Sequence, residues 1–354
     1  MATSLRERAV DLVGLLTTPI LPADYVDLFA PLRAGAELRG RIVEVRPETR
    51  DAVTLVIRPG RAWAGHTAGQ YVRIGIDVDG VRQWRAYSVT SPADRADGCI
   101  AITVKAIPDG KVSTHIVRRA RAGMLVHLDQ ACGEFTLPVT RPAKTLFVTA
   151  GSGITPVMGM LRSALDDLED VVVVHSAPTA SDVIFAGELR RLAARGRLRL
   201  VEQHTDHDGM LDAGALAALV PDLAERETWA CGPAGMLDAL EACWVGLGID
   251  AQLHTERFRP PLLAVGDGGT ITFTTTEQEV DADGATSLLD AGEDAGVLMP
   301  SGCRMGICFG CVAPLRDGAV RDLRTGELTA ASPGDGVLVQ TCVSAAAGPC
   351  QIDL

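Results

Sequence analysis

The chain has 354 residues, of which 47% are hydrophobic and 22% are charged, and its formal net charge is −12 at pH 7. At about 100–200 residues per domain, this length predicts two or three domains. The composition is that of a globular protein and excludes a disordered or collagen-like chain. The negative charge argues against nucleic acid as a partner, and no apolar run is as long as the roughly 18 residues of a membrane-spanning helix.

The N-terminus lacks the features of a secretion signal. The apolar run at residues 10–16 is interrupted by Asp11, and no cleavage site of small residues follows it. We therefore expect a cytoplasmic protein. Residues 1–35 combine an amphipathic helical pattern at residues 5–16 with a proline-rich stretch, which predicts a helical appendage packed on the next domain; a frayed tail is the alternative.

Residues 36–141 have the pattern of short β-strands. Apolar and polar side chains alternate in segments that end near glycine or proline. The segments are GRIVEVRPET, AVTLVIRPG, QYVRIGIDVDGV, RAYSVTS, IAITVKAIPDG and LVHLDQACGEFTLP. So many strands within about 100 residues predict an antiparallel β-barrel.

Residues 142–258 change to the pattern of an α/β domain. TLFVTA and VVVVHS are continuous apolar runs, typical of parallel strands that are buried on both faces. The segments PVMGMLRSALDDL and AGELRRLAARG have helical spacing, and LRLVEQHT and ETWACGP have the pattern of two further strands. This alternation of strands and helices predicts a doubly wound sheet.

The C-terminal part follows a predicted linker at residues 259–268. Residues 269–354 start with TITFTTTEQEVDADG, which is typical of a β-hairpin, and continue with the helical segment SLLDAGEDAG. Twelve acidic residues and four arginines give this part a net charge of −8. The acidity of the chain is concentrated here, which favours docking to a basic surface on a partner.

Four cysteines of this part have the spacing of metal ligands. Cys303, Cys308 and Cys311 form the pattern C-x4-C-x2-C in the cysteine loop (residues 301–311, SGCRMGICFGC), and Cys342 follows after thirty intervening residues. Four thiolates suit an iron–sulfur cluster or zinc. The spacing is that of plant-type 2Fe–2S proteins, whereas structural zinc sites usually pair C-x2-C with a second C-x2-C. Small residues in the loop can aim backbone N–H groups at the sulfurs.

Residues 269–354 resemble the plant-type ferredoxin module in loop, spacing and acidity. The resemblance implies a β-grasp fold of the α+β class and a 2Fe–2S cluster. It also implies that Cys303 and Cys308 bind one iron and that Cys311 and Cys342 bind the other. Cys350 lies outside this spacing, and we do not expect it to be a ligand.

The barrel segment contains two motifs that suit a flavin. RAYS (residues 85–88) offers a cation for the pyrophosphate, an aromatic face for the isoalloxazine and a hydroxyl for its reactive nitrogen, all in one extended stretch. GKVS (residues 110–113) leads into the helical run STHIVRRA, and helix N-termini bind phosphate oxygens. GEFTLP follows as the closing element of the barrel.

The α/β segment contains motifs that suit a dinucleotide. TLFVTAGSGITPVMGML predicts a strand, a glycine-rich turn and a helix, in which Gly151 and Gly153 allow the backbone to approach a phosphate. CGP (residues 231–233) follows a later strand, and HTERF (residues 254–258) ends the segment. HTDH at residues 204–207 is a weak candidate for zinc, because its neighbours favour a turn.

In this order, the motifs resemble those of the ferredoxin–NADP reductase superfamily, whose flavin motif is R-x-Y-S followed by G-x-x-S. The resemblance implies catalytic roles for Ser88, Thr155, Cys231 and Glu256. It also implies cofactor contacts from the following residues: Arg85, Tyr87, Ser88, Val104, Lys105, Gly110, Lys111, Val112, Ser113, Gly151, Gly153, Thr155, Gly232, Pro233 and Phe258. GKVS favours FAD, although some members with this domain order bind FMN.

The nucleotide is NADPH or NADH. HSAPTASD follows the second strand of the α/β segment, and no acidic residue for a ribose hydroxyl or arginine for a 2′-phosphate comes immediately after that strand. Arg190 and Arg191, on the next helix, are candidates for contact with the phosphate. We favour NADPH, because the nearest overall resemblance is to an NADPH-dependent group.

The three parts form a chemical series. A nicotinamide donates two electrons as hydride, a 2Fe–2S cluster accepts one at a time, and a flavin does both. The sequence therefore predicts an oxidoreductase that passes electrons from NAD(P)H through FAD and a 2Fe–2S cluster to an external acceptor protein. The resemblance is to reductases of oxygenases and desaturases, so the expected acceptor is an acyl desaturase, alkane hydroxylase, cytochrome P450 or dioxygenase.

We expect a monomer that does not span a membrane, while docking to a membrane-bound partner stays open. The alternative function is a redox sensor whose cluster state controls a regulator without turnover, but no DNA-binding helix pair or basic patch supports it. A self-contained oxygenase is disfavoured, because the sequence shows no ligand set for haem or non-haem iron.

Overall fold

The computed structural model describes residues 31–33, 37–78, 80–108, 110–258 and 265–354. The helix expected at residues 5–16 and the first part of the expected linker, residues 259–264, lie outside the described residues. The chain divides into two compact units, of which the first holds two sheets and the second holds the third sheet. Among the described residues, no helix has both the length and the apolar character needed to cross a bilayer.

The first sheet is a six-stranded antiparallel sheet that curls towards a barrel. Its strand order is β4-β3-β6-β1-β2-β5. The strands are β1 (Arg39–Thr49), β2 (Ala52–Pro59), β3 (Tyr71–Val78), β4 (Val81–Ser88), β5 (Ile100–Lys105) and β6 (Leu125–Leu128). The two edges meet just after β4, where Val89 forms a bridge with Ile102 and the Thr90 N–H donates to the Ala101 carbonyl at 2.7 Å.

Branched aliphatic side chains fill the inside of this sheet. Ile42, Leu55, Ile74 and Ile102 are fully buried there, as alternation along half-buried strands predicts. Helix α1 (Lys111–Arg119) covers the core with Val112 and Ile116. The antiparallel barrel expected from the sequence is confirmed.

The second sheet is parallel where its register is defined and has helices between its strands. Its order is β11-β10-β7-β8-β9. The strands are β7 (Lys144–Ala150), β8 (Asp170–Ala177), β9 (Arg199–His204), β10 (Glu227–Cys231) and β11 (Leu253–Glu256). The helices are α2 (Ile154–Ala164), α3 (Ala186–Ala194), α4 (Thr205–Asp208), α5 (Ala213–Leu219) and α6 (Ala234–Leu247). The doubly wound α/β arrangement is confirmed.

The strand order reverses at β7, which determines where a ligand can bind. From β7 the chain proceeds outward through β8 and β9, and it then returns to the opposite side of β7 for β10. Ligands of open α/β sheets bind at the carboxyl ends of the strands beside such a switch point. The glycine-rich turn after β7 and Cys231 at the end of β10 therefore share this edge.

The third sheet is mixed and belongs to the second compact unit. Its order is β13-β12-β17-β14-β15, β16 pairs with β14, and β12 runs parallel to β17. The elements are β12 (Gly269–Phe273), β13 (Gln278–Ala282), α7 (Leu288–Asp294), β14 (Val312–Asp322), β15 (Leu328–Ala331), β16 (Val337–Gln340) and β17 (Ser344–Ile352). Phe273, Leu289 and Ile352 are fully buried in its core. The cysteine loop connects α7 to β14.

Candidate functional site

Two buried hydroxyls from different sheets meet in the first compact unit. Ser88 is the last residue of β4, and Thr155 lies in the first turn of α2; each is 3% exposed. Thr155 Oγ1 donates to the Ser152 carbonyl at 2.9 Å and lies 3.3 Å from Ser88 Oγ. The structure thus brings together two residues that the sequence assigned to the flavin and to the nicotinamide.

A glycine on α2 makes this contact possible. A Cβ atom at Gly159 would lie 2.4 Å from the Val89 carbonyl oxygen, closer than van der Waals packing allows. Gly159 and Thr155 are four residues apart and share one face of the helix. Because Val89 follows Ser88 directly, the approach of Gly159 to Val89 also brings Thr155 to Ser88.

The glycine-rich turn lies at the switch point of the parallel sheet. Residues Gly151–Gly153 form one 3-10 turn between β7 and α2, and Gly151 has a left-handed backbone with φ of 53°. Cys231 is fully buried and stands opposite Thr149 of β7 in the strand register. Gly232 and Pro233 follow it directly. These positions suit the phosphates and the ring of a dinucleotide.

A basic cavity of about 610 Å³ opens at the start of α1. Gly110, Lys111, Arg50 and Arg118 line it, and α1 is nine residues long. A Cβ at Gly110 would lie 2.5 Å from Ser113 Oγ, so any other residue would require the Ser113 side chain to shift. Free N–H groups at the helix N-terminus and several cations fit a pyrophosphate.

The other residues expected at the flavin lie in three kinds of position: the barrel core, a loop and an ion pair. Val104 and Val112 belong to the barrel core, so only their backbone atoms can contact a ligand. Ser113 Oγ accepts from the Ile107 N–H and donates to the Gly110 carbonyl, each at 3.3 Å, and therefore stabilises its own loop. Lys105 pairs with Asp51 at 3.1 Å.

The RAYS segment presents a mixed polar and aromatic stretch. The Arg85 guanidinium donates to the Trp84 carbonyl at 2.7 Å, and Tyr87 packs half-buried against the barrel core. Arg85 and Tyr87 alternate with Ala86 along β4, so they extend from the same face of the strand.

The four cysteines of the predicted cluster pair two by two. The pKa of Cys303 is raised, first because its thiol donates a hydrogen bond to Cys308, and the pKa of Cys342 is raised, first because its thiol donates to Cys311. Within residues 265–354, as elsewhere in the described chain, no three His, Cys, Asp or Glu side chains converge on one metal ion. A two-iron cluster is bound by two thiolates on each iron, and the two thiol pairs match that number.

Backbone N–H groups surround these sulfurs. The Cys303 and Gly310 N–H groups donate to Cys308 Sγ at 3.1 and 3.3 Å, and the Met305 N–H donates to Cys303 Sγ at 3.3 Å. Such donors stabilise negative charge on a ligating sulfur and on the cluster behind it. Cys350 is buried in β17 and is paired in register with Gly318, outside the loop.

The loop contains conformations that the sequence did not reveal. Arg304 and Phe309 have left-handed backbones with φ of 59° and 55°, although neither is glycine. Arg304 is held there by ion pairs to Asp290 at 3.0 Å and to Glu293 on α7. Phe309 is 68% exposed between Cys308 and Gly310. A positive φ is uncommon for arginine and phenylalanine, so the sequence alone predicts neither conformation.

Glu256 ends β11 with one carboxylate oxygen enclosed. Its Oε2 is buried and has no hydrogen-bond partner, and burial raises the pKa of this carboxyl to about 8. Desolvation disfavours the charged form, so the carboxyl holds a proton near neutral pH. Phe258, two residues further on, is 38% exposed.

The region expected to recognise the nucleotide ribose has a different charge arrangement from the one predicted. Arg190 binds Glu202 through Nε and Nη2, both at 2.7 Å, so its guanidinium is engaged within the protein. Thr179 donates to Asp182 at 2.7 Å and lies 2.8 Å from Ser181 Oγ.

Histidines at this edge do not form a metal site. His175 is buried, its Nδ1 lies 2.8 Å from Thr149 Oγ1, and desolvation lowers its pKa to about 4. In the HTDH segment, His204 contacts Glu202 and His207 contacts Asp208, and no metal-binding group forms among the described residues.

Three family models match the chain in the order of its sheets. They are the oxidoreductase FAD-binding domain over residues 44–137, the oxidoreductase NAD-binding domain over residues 147–242 and the 2Fe-2S iron-sulfur cluster binding domain over residues 271–347. An NADPH oxidoreductase from Mycobacterium tuberculosis is 49% identical over 346 residues, which cover 96% of this chain and 90% of the relative.

The chain belongs to the ferredoxin–NADP reductase superfamily, in the group with an added 2Fe–2S domain. The ferredoxin reductase component of a 3-ketosteroid-9-alpha-monooxygenase from Mycolicibacterium smegmatis is 32% identical and covers 79% of this chain and 86% of the relative. Phthalate dioxygenase reductase shares the fold, with a TM-score of 0.63, 21% identity and coverage of 90% of this chain and 98% of that one. This reductase is thus an oxidoreductase with FAD-, NAD- and 2Fe–2S-binding domains.

Replacing Gly159 with alanine is expected to separate α2 from Val89. The added methyl group would overpack the contact and lower the free energy of unfolding by about 1–3 kcal/mol. Reduction of the flavin by the nucleotide should slow as well, because Thr155 moves away from Ser88. Thermal unfolding and stopped-flow flavin bleaching measure both effects. Gly246→Ala on α6 is the control, since a Cβ there meets nothing within 4 Å; equal behaviour of the two variants would contradict the prediction.

Replacing Glu256 with glutamine is expected to change the pH dependence of stability. The folded pKa of about 8 lies above the ordinary 4.5, so the wild-type chain loses stability as the pH rises between these values. The glutamine variant lacks this loss. Between about pH 5 and about pH 9, the melting temperature of the variant should therefore rise relative to that of the wild type, by the equivalent of about 4 kcal/mol. If the difference in melting temperature between the variant and the wild type is the same at both pH values, Glu256 is not protonated in the folded protein.

Proposed function

We propose that this reductase takes hydride from NADPH and passes single electrons through FAD and a 2Fe–2S cluster to a separate oxygenase, desaturase or cytochrome P450. The observation that supports this most is the pairing of four thiols within reach of aimed backbone N–H groups, in a chain that also has flavin and nucleotide domains. A cluster outlet implies an acceptor of single electrons. None of the nine cysteines, all of which lie among the described residues, forms a disulfide bond, and we take this as support for the proposal of a reducing, cytoplasmic location.

The chemistry of the cofactors assigns work to particular residues. When bound, the flavin accepts two electrons as one hydride and releases them one at a time. We assign orientation of the reacting rings to the Ser88 and Thr155 hydroxyls. Cys231 is fully buried opposite Thr149 in the sheet, and we assign it to excluding water from this edge. Lys111 and the N-terminus of α1 are suited to hold the pyrophosphate.

Glu256 has the properties of a proton reservoir for this reaction. Its carboxyl is enclosed and protonated near neutral pH, because burial raises its pKa to about 8. A group poised near the operating pH donates and recovers a proton most efficiently. We therefore assign it to holding and moving a proton at Oε2.

The preference for NADPH is supported by similarity more than by charge. The relative with 49% identity is an NADPH oxidoreductase. Arg190, one of the two expected phosphate ligands, is engaged by Glu202, which leaves Arg191 and the hydroxyls of Thr179 and Ser181 as candidates. Hydroxyls can bind a ribose hydroxyl as well as a phosphate, so NADH is the alternative donor.

The second compact unit is suited to meet a basic partner. Residues 269–354 have twelve acidic residues and four arginines. Phe309 is exposed beside Cys308, and Leu298 and Ile307 are exposed nearby in the chain. An apolar centre with charged surroundings is typical of interfaces between redox partners. We propose that the acceptor contacts the cysteine loop with a basic surface.

Replacing Cys308 with serine is expected to separate the two halves of the reaction. During anaerobic titration, NADPH should still bleach the flavin of the variant, while the cluster absorbance is missing. Cytochrome c turnover should fall at least tenfold, because the single-electron outlet is lost, and ferricyanide turnover should remain.

Cys132→Ser changes an exposed cysteine outside the motif and serves as the control. Wild-type turnover of cytochrome c by the Cys308 variant would overturn the proposed path. A wild type that is reduced once without turnover would favour the sensor.

Salt is expected to weaken the reaction with a basic acceptor. The Debye length shrinks from about 30 Å at 0.01 M to about 3 Å at 1 M, which screens attraction between the acidic segment and the acceptor. The kcat/KM for cytochrome c should therefore fall by roughly tenfold over this range. Ferricyanide, a small anion, should not show this fall. A salt-independent rate with cytochrome c would argue against electrostatic docking.

A further inference from the structure

Two side chains bind the carbonyl of Gly306 in the middle of the cysteine loop. Arg324 Nη1 and Gln340 Nε2 each donate to Gly306 O at 3.0 Å. Gly306 has a left-handed backbone with φ of 72°, and a Cβ there would collide with the Arg324 guanidinium. The loop therefore approaches Arg324 as closely as a glycine allows.

This contact fixes the peptide that follows Gly306. A trans peptide is planar, and its C=O and N–H groups point in opposite directions. The Gly306 carbonyl belongs to the same peptide as the Ile307 N–H, which interacts with Cys303 and acts to lower the pKa of its thiol. Holding the oxygen on one side thus aims the N–H at the sulfur on the other. The two hydrogen bonds to the carbonyl oxygen also polarise this peptide, which makes its N–H a stronger donor.

The Arg324 guanidinium also acts on the sulfurs by its charge. Its pKa is raised, first because Asp322 accepts its hydrogen bonds, and further because the Cys342 and Cys303 sulfurs lie close enough to interact with it. The Gly306 N–H also interacts with Cys342 and acts to lower the pKa of its thiol. Arg324 and Gly306 are therefore linked to one sulfur of each cysteine pair.

The supporting contacts make Arg324 rigid. Asp322, at the end of β14, accepts from Arg324 Nε at 3.1 Å and from Nη2 at 2.6 Å. Gln340, at the end of β16, accepts from Nη2 at 3.2 Å through its Oε1. Because both strand ends belong to one sheet, the guanidinium has a fixed position behind the loop. Arginine suits this role, since its planar fork can bind three partners at once.

We propose that Arg324 is a positioning residue that, together with Gln340, raises the reduction potential of the 2Fe–2S cluster. The inference rests on the proposed cluster at the four cysteines. One-electron reduction adds negative charge to the cluster, and both an aimed N–H group and a nearby cation stabilise that charge. Arg324 thereby favours transfer of the electron into the cluster without being a ligand.

The test compares the reduction potential of the cluster in four variants of the loaded protein. Arg324→Gln removes the cation, and Gln340→Leu removes the neutral donor to the same carbonyl. Arg324→Lys keeps the charge without the fork. Arg316→Gln is the matched control, because it removes the same charge from a side chain that is 58% exposed and pairs with Asp353. Redox titration followed by electron paramagnetic resonance gives the potential of each.

In Arg324→Gln, the equilibrium constant for cluster reduction should fall at least tenfold, which is about 59 mV for one electron. Gln340→Leu and Arg324→Lys should show smaller falls, and Arg316→Gln and the flavin potential should not change. If the loaded Arg324 and Gln340 variants have unchanged potentials, this inference is overturned while the proposed function stands.

Failure to load is informative as well. If neither Arg324 variant nor Gln340→Leu holds a cluster while the wild type does, the contacts serve assembly only and the inference is overturned. If the wild type itself holds no cluster after anaerobic reconstitution, the proposed function fails, and this inference fails with it.

Discussion

The approach of α2 to the end of β4, with no side chain between them at Gly159, is the constraint on which the first compact unit depends. It determines the distance between two sheets that are otherwise built independently, an antiparallel barrel and a parallel sheet. Ser88 and Thr155 are both buried at this contact and satisfy each other there. Buried hydroxyls without hydrogen-bond partners would cost free energy. The close packing of α2 is therefore also what allows this site to be polar.

The second compact unit meets a different requirement, which is to collect negative charge in one loop. Four thiolates in one loop repel one another, and hydrogen-bond donors around their sulfurs reduce that repulsion. Backbone N–H groups of the cysteine loop supply those donors, and Arg304 and Arg324 fix the loop from two sides. The first unit thus has hydroxyls and a buried thiol that suit the transfer of an electron pair. The second unit has fixed backbone N–H dipoles that suit the transfer of single electrons.

Sequence patterns predicted the features that arise from local structure. The apolar runs of β7 and β8, the hairpin of β12 and β13 and the spacing of Cys303, Cys308 and Cys311 need only neighbouring residues for their interpretation. The fold classes were confirmed for this reason, while the exact domain boundaries and the roles of the site residues stay predictions. Contacts between distant residues were missed. Gly159 has no motif of its own, and Arg324 reaches Gly306 across 18 positions.

Charge and conformation in loops were also beyond sequence reasoning. Arg190 is a candidate for contact with a phosphate, and β9 places Glu202 within its reach, where the two form an ion pair that the sequence did not predict. Phe309 has a left-handed backbone that its residue type disfavours. Both outcomes depend on tertiary structure that no single segment contains.

The position of β17 in the third sheet has a consequence for biosynthesis. β17 lies between β12 and β14, so the central strand of this sheet is the one translated last. During synthesis the barrel and the parallel sheet can fold as units while the ribosome is still making this strand. Until β17 emerges, Cys311 and Cys342 have no completed sheet behind them. We therefore expect delivery of iron and sulfide to follow the synthesis of β17.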